Sequence, residues 1–188
     1  MLQHLSVSIV GVSPLLLHNG QTADPTNKFA RQMKEISGKR KKTDEDYAEM
    51  SRIEWHAGLY VNGEQKIIMP STCIEACVYD GAKKSKLGKA FKSAVFVDSD
   101  AVLDIGKKYD KASDLWADDQ YRDVRGVRIG TSRVMRTRPI FYKWSMEFVL
   151  AFDDEQVNES DVSRAIEDAG SKVGLGDFRP RYGRFELA

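Results

Sequence analysis

Between Gly174 and Phe185 the chain reads GLGDFRPRYGRF, which sets three glycines, three arginines and three aromatics in twelve positions. Those residue types together suit one kind of chemistry. Gly174 and Gly176 let the backbone turn tightly and expose N–H groups that can form an anion-binding nest. Arg179, Arg181 and Arg184 pair with phosphates or stack on bases, and Phe178 and Tyr182 offer ring faces. Stacking a base on an aromatic is worth about 1–3 kcal/mol. Asp177 opposes a phosphate at its own position. A purely structural reading stands beside this one: the glycines connect a helix to a strand and the aromatics fill the core, and Phe185 and Leu187 are expected in the core on either account.

The net charge is only +1, so nucleic-acid binding must come from local clustering and not from the molecule as a whole. Clusters exist. GKRKK carries Lys39, Arg40, Lys41 and Lys42, and the acidic TDEDYAE follows it at once. KKSKLGKAFK carries Lys83, Lys84 and Lys86. RDVRGVRIGTSRVMRTR sets six arginines, among them Arg133, Arg136 and Arg138, against the single acid Asp123. Each run alone reads as a solvated face. Brought to one side by folding, the four make an electrostatic groove for a phosphate backbone. Arg136 and Arg138 lie two apart on a strand and share a face.

Other chemistry is thinly represented. The histidines are His4, His18 and His56, and no partner for a general base is evident beside any of them. Cys73 and Cys77 sit four apart on one helix face, without the second ligand pair that a zinc site needs, and read as reduced, semi-buried core residues. The acids of DSD and DDQ lie in polar stretches without the spacing of a metal site. No P-loop, dinucleotide fingerprint or nucleophile elbow is present. The expectation is a non-catalytic protein with no cofactor and no metal. With no secretory leader and no apolar run near about 18 residues, it is expected in the cytoplasm and off the membrane.

The elements that must position these residues are legible from period and punctuation. HLSVSIVGV alternates as a strand, and LLLHNGQTADPTNK is turn-rich. A helix runs from Thr43 to about Leu59, with Asp44, Glu45 and Asp46 complementing its dipole. QKIIM is a short strand. Pro70 and Ser71 open a helix whose stripe is Ile74, Cys77 and Val78. SAVFVDSDAVLDI gives one or two strands, and GKKYDKASDLWADDQYRD is loop-like. VRGVRIG and RTRPIFYKWSMEFVLAF read as long strands, with Ile140, Tyr142, Trp144, Met146, Phe148 and Leu150 in one register. A helix follows Asn158, and RYGRFEL is the last strand. The order strand, helix, strand, strand, helix, strand is that of an α+β, ferredoxin-like fold: an RRM-like antiparallel sheet with two helices on one face. A single domain over residues 1–188 carries a long helical insertion at 19–69, clamp- or thumb-like, and a second at 106–125. The sheet's other face is expected to be free, as in RNA-recognition domains.

Two stretches carry a family resemblance. IIMPSTCIEACVYDGAKK resembles the step from a short strand through proline and a small residue into the first helix of the RAMP superfamily, the ferredoxin-like proteins of CRISPR RNA complexes; Pro70, Ser71 and Ile74 take those places. KVGLGDFRPRYGRFEL resembles that superfamily's glycine-rich loop between the last helix and the last strand, although without a long run of glycines. The likeness is to the backbone type, which holds guide RNA along a filament, and this chain is shorter than most of those subunits. LLLHNGQTADP and ISGKRKKTDEDY are also similar to uncharacterised proteins of tailed phages, which would place the protein in a bacterial host's cytosol. The resemblance implies a binder of single-stranded RNA or DNA with little base preference, self-associating along the strand. Some RAMP relatives are metal-independent RNA-processing endoribonucleases with a histidine near the first strand, and His18 is the residue in that place. A phage structural, assembly or adaptor protein is the remaining alternative.

Overall fold

The computed structural model describes residues 1–188, except the side chain of Ile129. Its centre is a four-stranded sheet. The first strand, β1 (Leu2–Gly11), pairs antiparallel with β8 (Ser145–Asp153) on one side and with β9 (Phe185–Leu187) on the other, and β8 pairs with β4 (Val95–Val97). The spatial order β4-β8-β1-β9 is the ferredoxin-like one, with every neighbouring pair antiparallel.

Alternation decides which face is core. Val7 and Ile9 of β1 lie opposite Phe148 and Met146 of β8, and all four are buried. Against them pack the helices α3 (Ser71–Lys84), through Ile74, Cys77 and Val78, and α5 (Glu159–Asp168), through Val162, Ala165 and Ile166. The other face bears Ser6, Ser8, Glu147 and Glu186, with Phe96 48% exposed. It is open, as expected, yet acidic and with few aromatics, so it lacks the ring platform of an RNA-recognition sheet.

The segment between β1 and α3 starts with β2 (Leu15–Leu16) and continues through α1 (Lys28–Ser37) and α2 (Asp44–Gly58) to β3 (Ile68–Met69). The start of α2 is fixed by a capping box in which Thr43 and Asp46 satisfy each other's backbone N–H groups. A seven-residue helix, α4 (Gly88–Ala94), follows α3, and β5 (Ala101–Val102) pairs with β3. The stretch expected to be loop-like forms 3-10 turns at Ala112–Ala117 and Asp119–Tyr121, with Leu115 and Tyr121 buried.

One expectation fails informatively. The long strand read through RTRPIFYKWSMEFVLAF is two strands in different sheets. The first, β7 (Ser132–Phe141), forms a hairpin with β6 (Arg122–Ile129) and pairs with β2. Tyr142, 62% exposed, and Lys143 make the turn between β7 and β8, and the Trp144 indole then donates to the Ser13 carbonyl at 2.8 Å. The arginine-rich hairpin therefore stands outside the central sheet. Among the described residues, no helix is long and apolar enough to cross a membrane.

Candidate nucleic-acid interface

The loop that joins α5 to β9 is stitched to the core at its base and free at its tip. After α5 the helix widens into a π-turn at Ala169–Val173 and ends at Gly174, whose N–H donates to the Ala169 carbonyl at 2.8 Å. Leu175 plugs the core, and its N–H donates to the Gly183 carbonyl at 2.8 Å. The Asp177 N–H reaches the Leu16 carbonyl at 2.7 Å. Gly176 and Gly183 take φ of 72° and 73°, and a Cβ at either would overlap the carbonyl of Leu16 or Leu175. Both positions therefore require glycine on conformation and on space. The Gly174 N–H is spent within the helix end, so that group is not free for an anion.

Phe178 occupies the tip at φ 60°, the left-handed region, which costs a non-glycine residue about 1–2 kcal/mol. Its ring stays 45% exposed and meets Tyr182 edge-on at 6.2 Å. Arg179, Arg181 and Arg184 are exposed and have no ion-pair partner among the described residues.

Two other basic runs meet this loop. On one side, the end of α3 and the π-turn border a groove of about 400 Å³ lined by Asp80, Lys83, Lys84, Lys172 and Arg179. Lys83 pairs with Asp80 and Lys172 with Asp168, each at 2.5 Å, whereas Lys84 has no such partner. Lys86 is exposed in the turn that follows. On the other side stands the hairpin. Arg125 lies 5.1 Å from the Tyr182 ring centre, and Arg138 lies 5.6 Å from that of Phe178. Arg136 and Arg138 do share a face, since their register partners are Arg125 and Asp123. Both are engaged: Arg136 pairs with Glu54 of α2 at 2.7 Å, and Arg138, 7% exposed, lies 3.1 Å from Asp177. Arg133, opposite Arg128 near the hairpin's turn, is exposed.

The run at Lys39–Lys42 does not join them. It connects α1 to α2, where Lys39 pairs with Asp46 at 2.5 Å and the Lys42 ammonium donates to the Lys39 carbonyl at 3.1 Å. Arg40 and Lys41 are exposed there. His18 is exposed too; Tyr60 donates to its carbonyl at 3.4 Å, and its ring has no hydrogen-bond partner among the described residues. The acids have structural work. Asp98 meets His4 at 3.1 Å, Asp100 accepts the Ser71 N–H at the start of α3, and Asp118 pairs with Lys107 at 3.0 Å. Among the described residues no group of three or more His, Cys, Asp or Glu is gathered as metal ligands would be. Cys73 is half-buried and Cys77 buried; burial pushes the Cys77 thiol up to about 12, and it donates to the Gly174 carbonyl at 3.2 Å.

Lys172 and Arg125 were not among the residues expected at the interface. Lys172 is one residue from the loop in sequence, in the final turn after α5, where a cation complements a helix dipole and so attracts no functional reading. Arg125 belongs to the six-arginine run, and only the fold shows that it faces the loop's rings.

No protein-family model and no curated protein matches the chain. Among solved structures, it is similar to a chain in the cryo-EM structure of the Type III-B Cmr-beta complex bound to cognate target RNA, at 15% identity and a TM-score of 0.55. That match covers 100% of this chain and 59% of the other, so the protein spans about three-fifths of the length of its neighbour. The fold is thus the ferredoxin-like one expected from the order of elements.

Proposed function

We propose that this protein binds single-stranded nucleic acid, RNA in the first place, along a strip from the end of α3 across the glycine-rich loop to the β6–β7 hairpin. The observation that carries this reading is that three basic runs far apart in sequence meet at one loop, beside an exposed, strained Phe178. Free cations such as Lys84, Arg179 and Arg181 take phosphates, while Phe178 and Tyr182 take base faces, a combination that tolerates any sequence. Likeness to a chain of an RNA-bound complex supports RNA as the first probe. The reading is of a non-catalytic protein of the cytosol, with copies lining up along the strand.

Fluorescence anisotropy with single-stranded and duplex probes at several salt concentrations tests it. Single strands should bind more tightly, with log affinity falling by about 0.7 per phosphate contact for each log unit of salt. The triple variant Lys84→Ala, Arg179→Ala, Arg181→Ala should flatten that slope by about two units while leaving the melting temperature in place. Equal affinity for duplex, or an unchanged slope in the variant, would count against the strip. Strand cleavage that His18→Ala abolishes would replace the binding reading with an endoribonuclease.

A further inference from the structure

We propose that the open cavity bordered by the start of α1, the end of α2 and the turn at Asn62–Gln65 is a nucleotide site, taking a nucleoside monophosphate either free or as one unit of a strand. The cavity is about 480 Å³, and no carboxylate lines it. Apart from Ala112 and Ser113, its lining comes from the segment between β1 and α3, away from the glycine-rich loop and the strip described above.

Its lining divides into three chemistries, one for each part of a nucleotide. Gln32 and Gln65 line the cavity, their carboxamides without a hydrogen-bond partner among the described residues, and Asn62, whose oxygen accepts the N–H groups of Glu64 and Lys66, keeps its amide donor free. A carboxamide presents a donor and an acceptor side by side, which matches the edge of a base. Ring faces come from Phe29 and His56. Charge comes from Lys28, whose ammonium sits 4.7 Å from the Phe29 ring centre, and from Arg52, held by both oxygens of Glu49. Glu49 neutralises Arg52, so Lys28 is the lining cation without an acid partner among the described residues, and it favours an anion.

Two features set these groups apart from ordinary surface amides. Asn19 and Gln21 line the same cavity, but their side chains are consumed by the Leu59 and Ala57 carbonyls and so build the wall. Gln65, by contrast, holds φ 62° with its side chain unbonded. That φ belongs to the turn closed by the Gln65 N–H on the Asn62 carbonyl at 3.0 Å, and the turn sets Gln65 on the cavity wall. Burial keeps the His56 imidazole below its ordinary value, so the ring is neutral and can either donate or accept. It packs edge-on against Trp55 at 5.0 Å and lies 6.0 Å from Trp116.

Those tryptophans supply the readout. Intrinsic fluorescence of the full chain is titrated with AMP, CMP, GMP and UMP, and in parallel with ribose 5-phosphate and inorganic phosphate. At least one nucleotide should give a saturable change, with an affinity about tenfold or more above that of the two base-free anions. Gln32→Ala with Gln65→Gly should weaken nucleotide binding about tenfold. Gln32 is exposed on a helix, and glycine suits the left-handed φ at position 65, so both changes spare the fold. No saturable change with any nucleotide up to about 10 mM overturns the proposal. So does equal response to all six ligands, which marks a general anion site, or an unaffected double variant. The two sources of the ligand separate in the same variants: a strand unit requires that the double variant also weaken oligonucleotide binding, and a free nucleotide that it leave it unchanged. The triple variant of the basic strip should keep its nucleotide titration, so failure of the strip and failure of this cavity are distinguishable.

Discussion

Arg138 shows how a basic residue read as a phosphate contact can serve the fold instead. Its side chain is 8% exposed, and the nearest Asp177 oxygen is 3.1 Å from Nη1. Yet neither Nε nor Nη1 makes an aligned hydrogen bond, and Asp123 Oδ2 beside it is unmatched as well. The distance describes a Coulombic contact and the angles deny a directed bond; the angles matter more here, because a buried charge needs its donors filled to offset desolvation. What Arg138 supplies is therefore its stem and its plane, packed near Phe178. Arg138→Met, which keeps volume and discards charge, should change stability by no more than about 1 kcal/mol, whereas Arg138→Ala should cost about 2–3 kcal/mol. Chemical denaturation compares them. Equal losses in the two variants would mean that the charge itself holds the loop.

At the scale of elements, the proposed binding and the stability of the fold should separate in the hairpin. Its base is anchored: Glu54 of α2 accepts from the Arg136 guanidinium at 2.7 Å and from the Thr137 N–H at 2.8 Å. Its outer half is not, since Arg128, Arg133, Val134 and Met135 are all exposed. Arg128→Ala with Arg133→Ala should therefore leave the melting temperature unchanged and lower the salt slope of single-strand binding by about 1.4, near 0.7 for each lost contact. An unchanged slope would confine binding to the loop and the end of α3. The same hairpin shows where the sequence was misleading. Strand β7 ends at Phe141 and β8 begins at Ser145, so Ile140 and Met146 keep the same parity across the break. A period of two cannot register a turn that preserves it. The helix α1 carries a stripe, Phe29, Met33 and Ile36, but none of these is fully buried and turn-forming residues precede them, so within the insertion expected to be helical its bounds were not legible. Strand β1, the start of α2 and the opening of α3 at Pro70–Ser71 were legible because a half-buried face or a local cap determines each. The residue types of the glycine-rich loop, and its place between the last helix and the last strand, were also visible. Which basic runs would meet it was not, because Asp80, Asp168, Glu54 and Asp177 select their partners only after folding.

For the whole molecule, the same pairings bear on assembly. The basic GKRKK and the acidic TDEDYAE could have met between neighbouring copies, giving a head-to-tail contact and an open filament. Instead Lys39 is tied to Asp46 of its own chain at 2.5 Å, with Asp46 further held in the capping box of α2. An exposed pair of this kind is worth about 0–1 kcal/mol, too little to hold two copies together and enough to blunt the attraction. What remains at the two ends of the strip is positive: Lys84 and Arg179 at one side of the loop, Arg128 and Arg133 at the other. Neighbours on one strand that bring these ends together repel unless phosphates lie between them. The protein should accordingly stay monomeric alone at moderate salt and load in several copies on a strand of about 60 nucleotides, given site sizes of about 4–16 nucleotides. Raising the salt should strip the copies off as separate monomers, because the strand and not a protein contact joins them. Analytical ultracentrifugation with and without the strand measures this directly. Oligomers in the absence of nucleic acid, or a single copy on the long strand when binding is otherwise established, would show that contacts between chains or a blocked surface govern assembly instead.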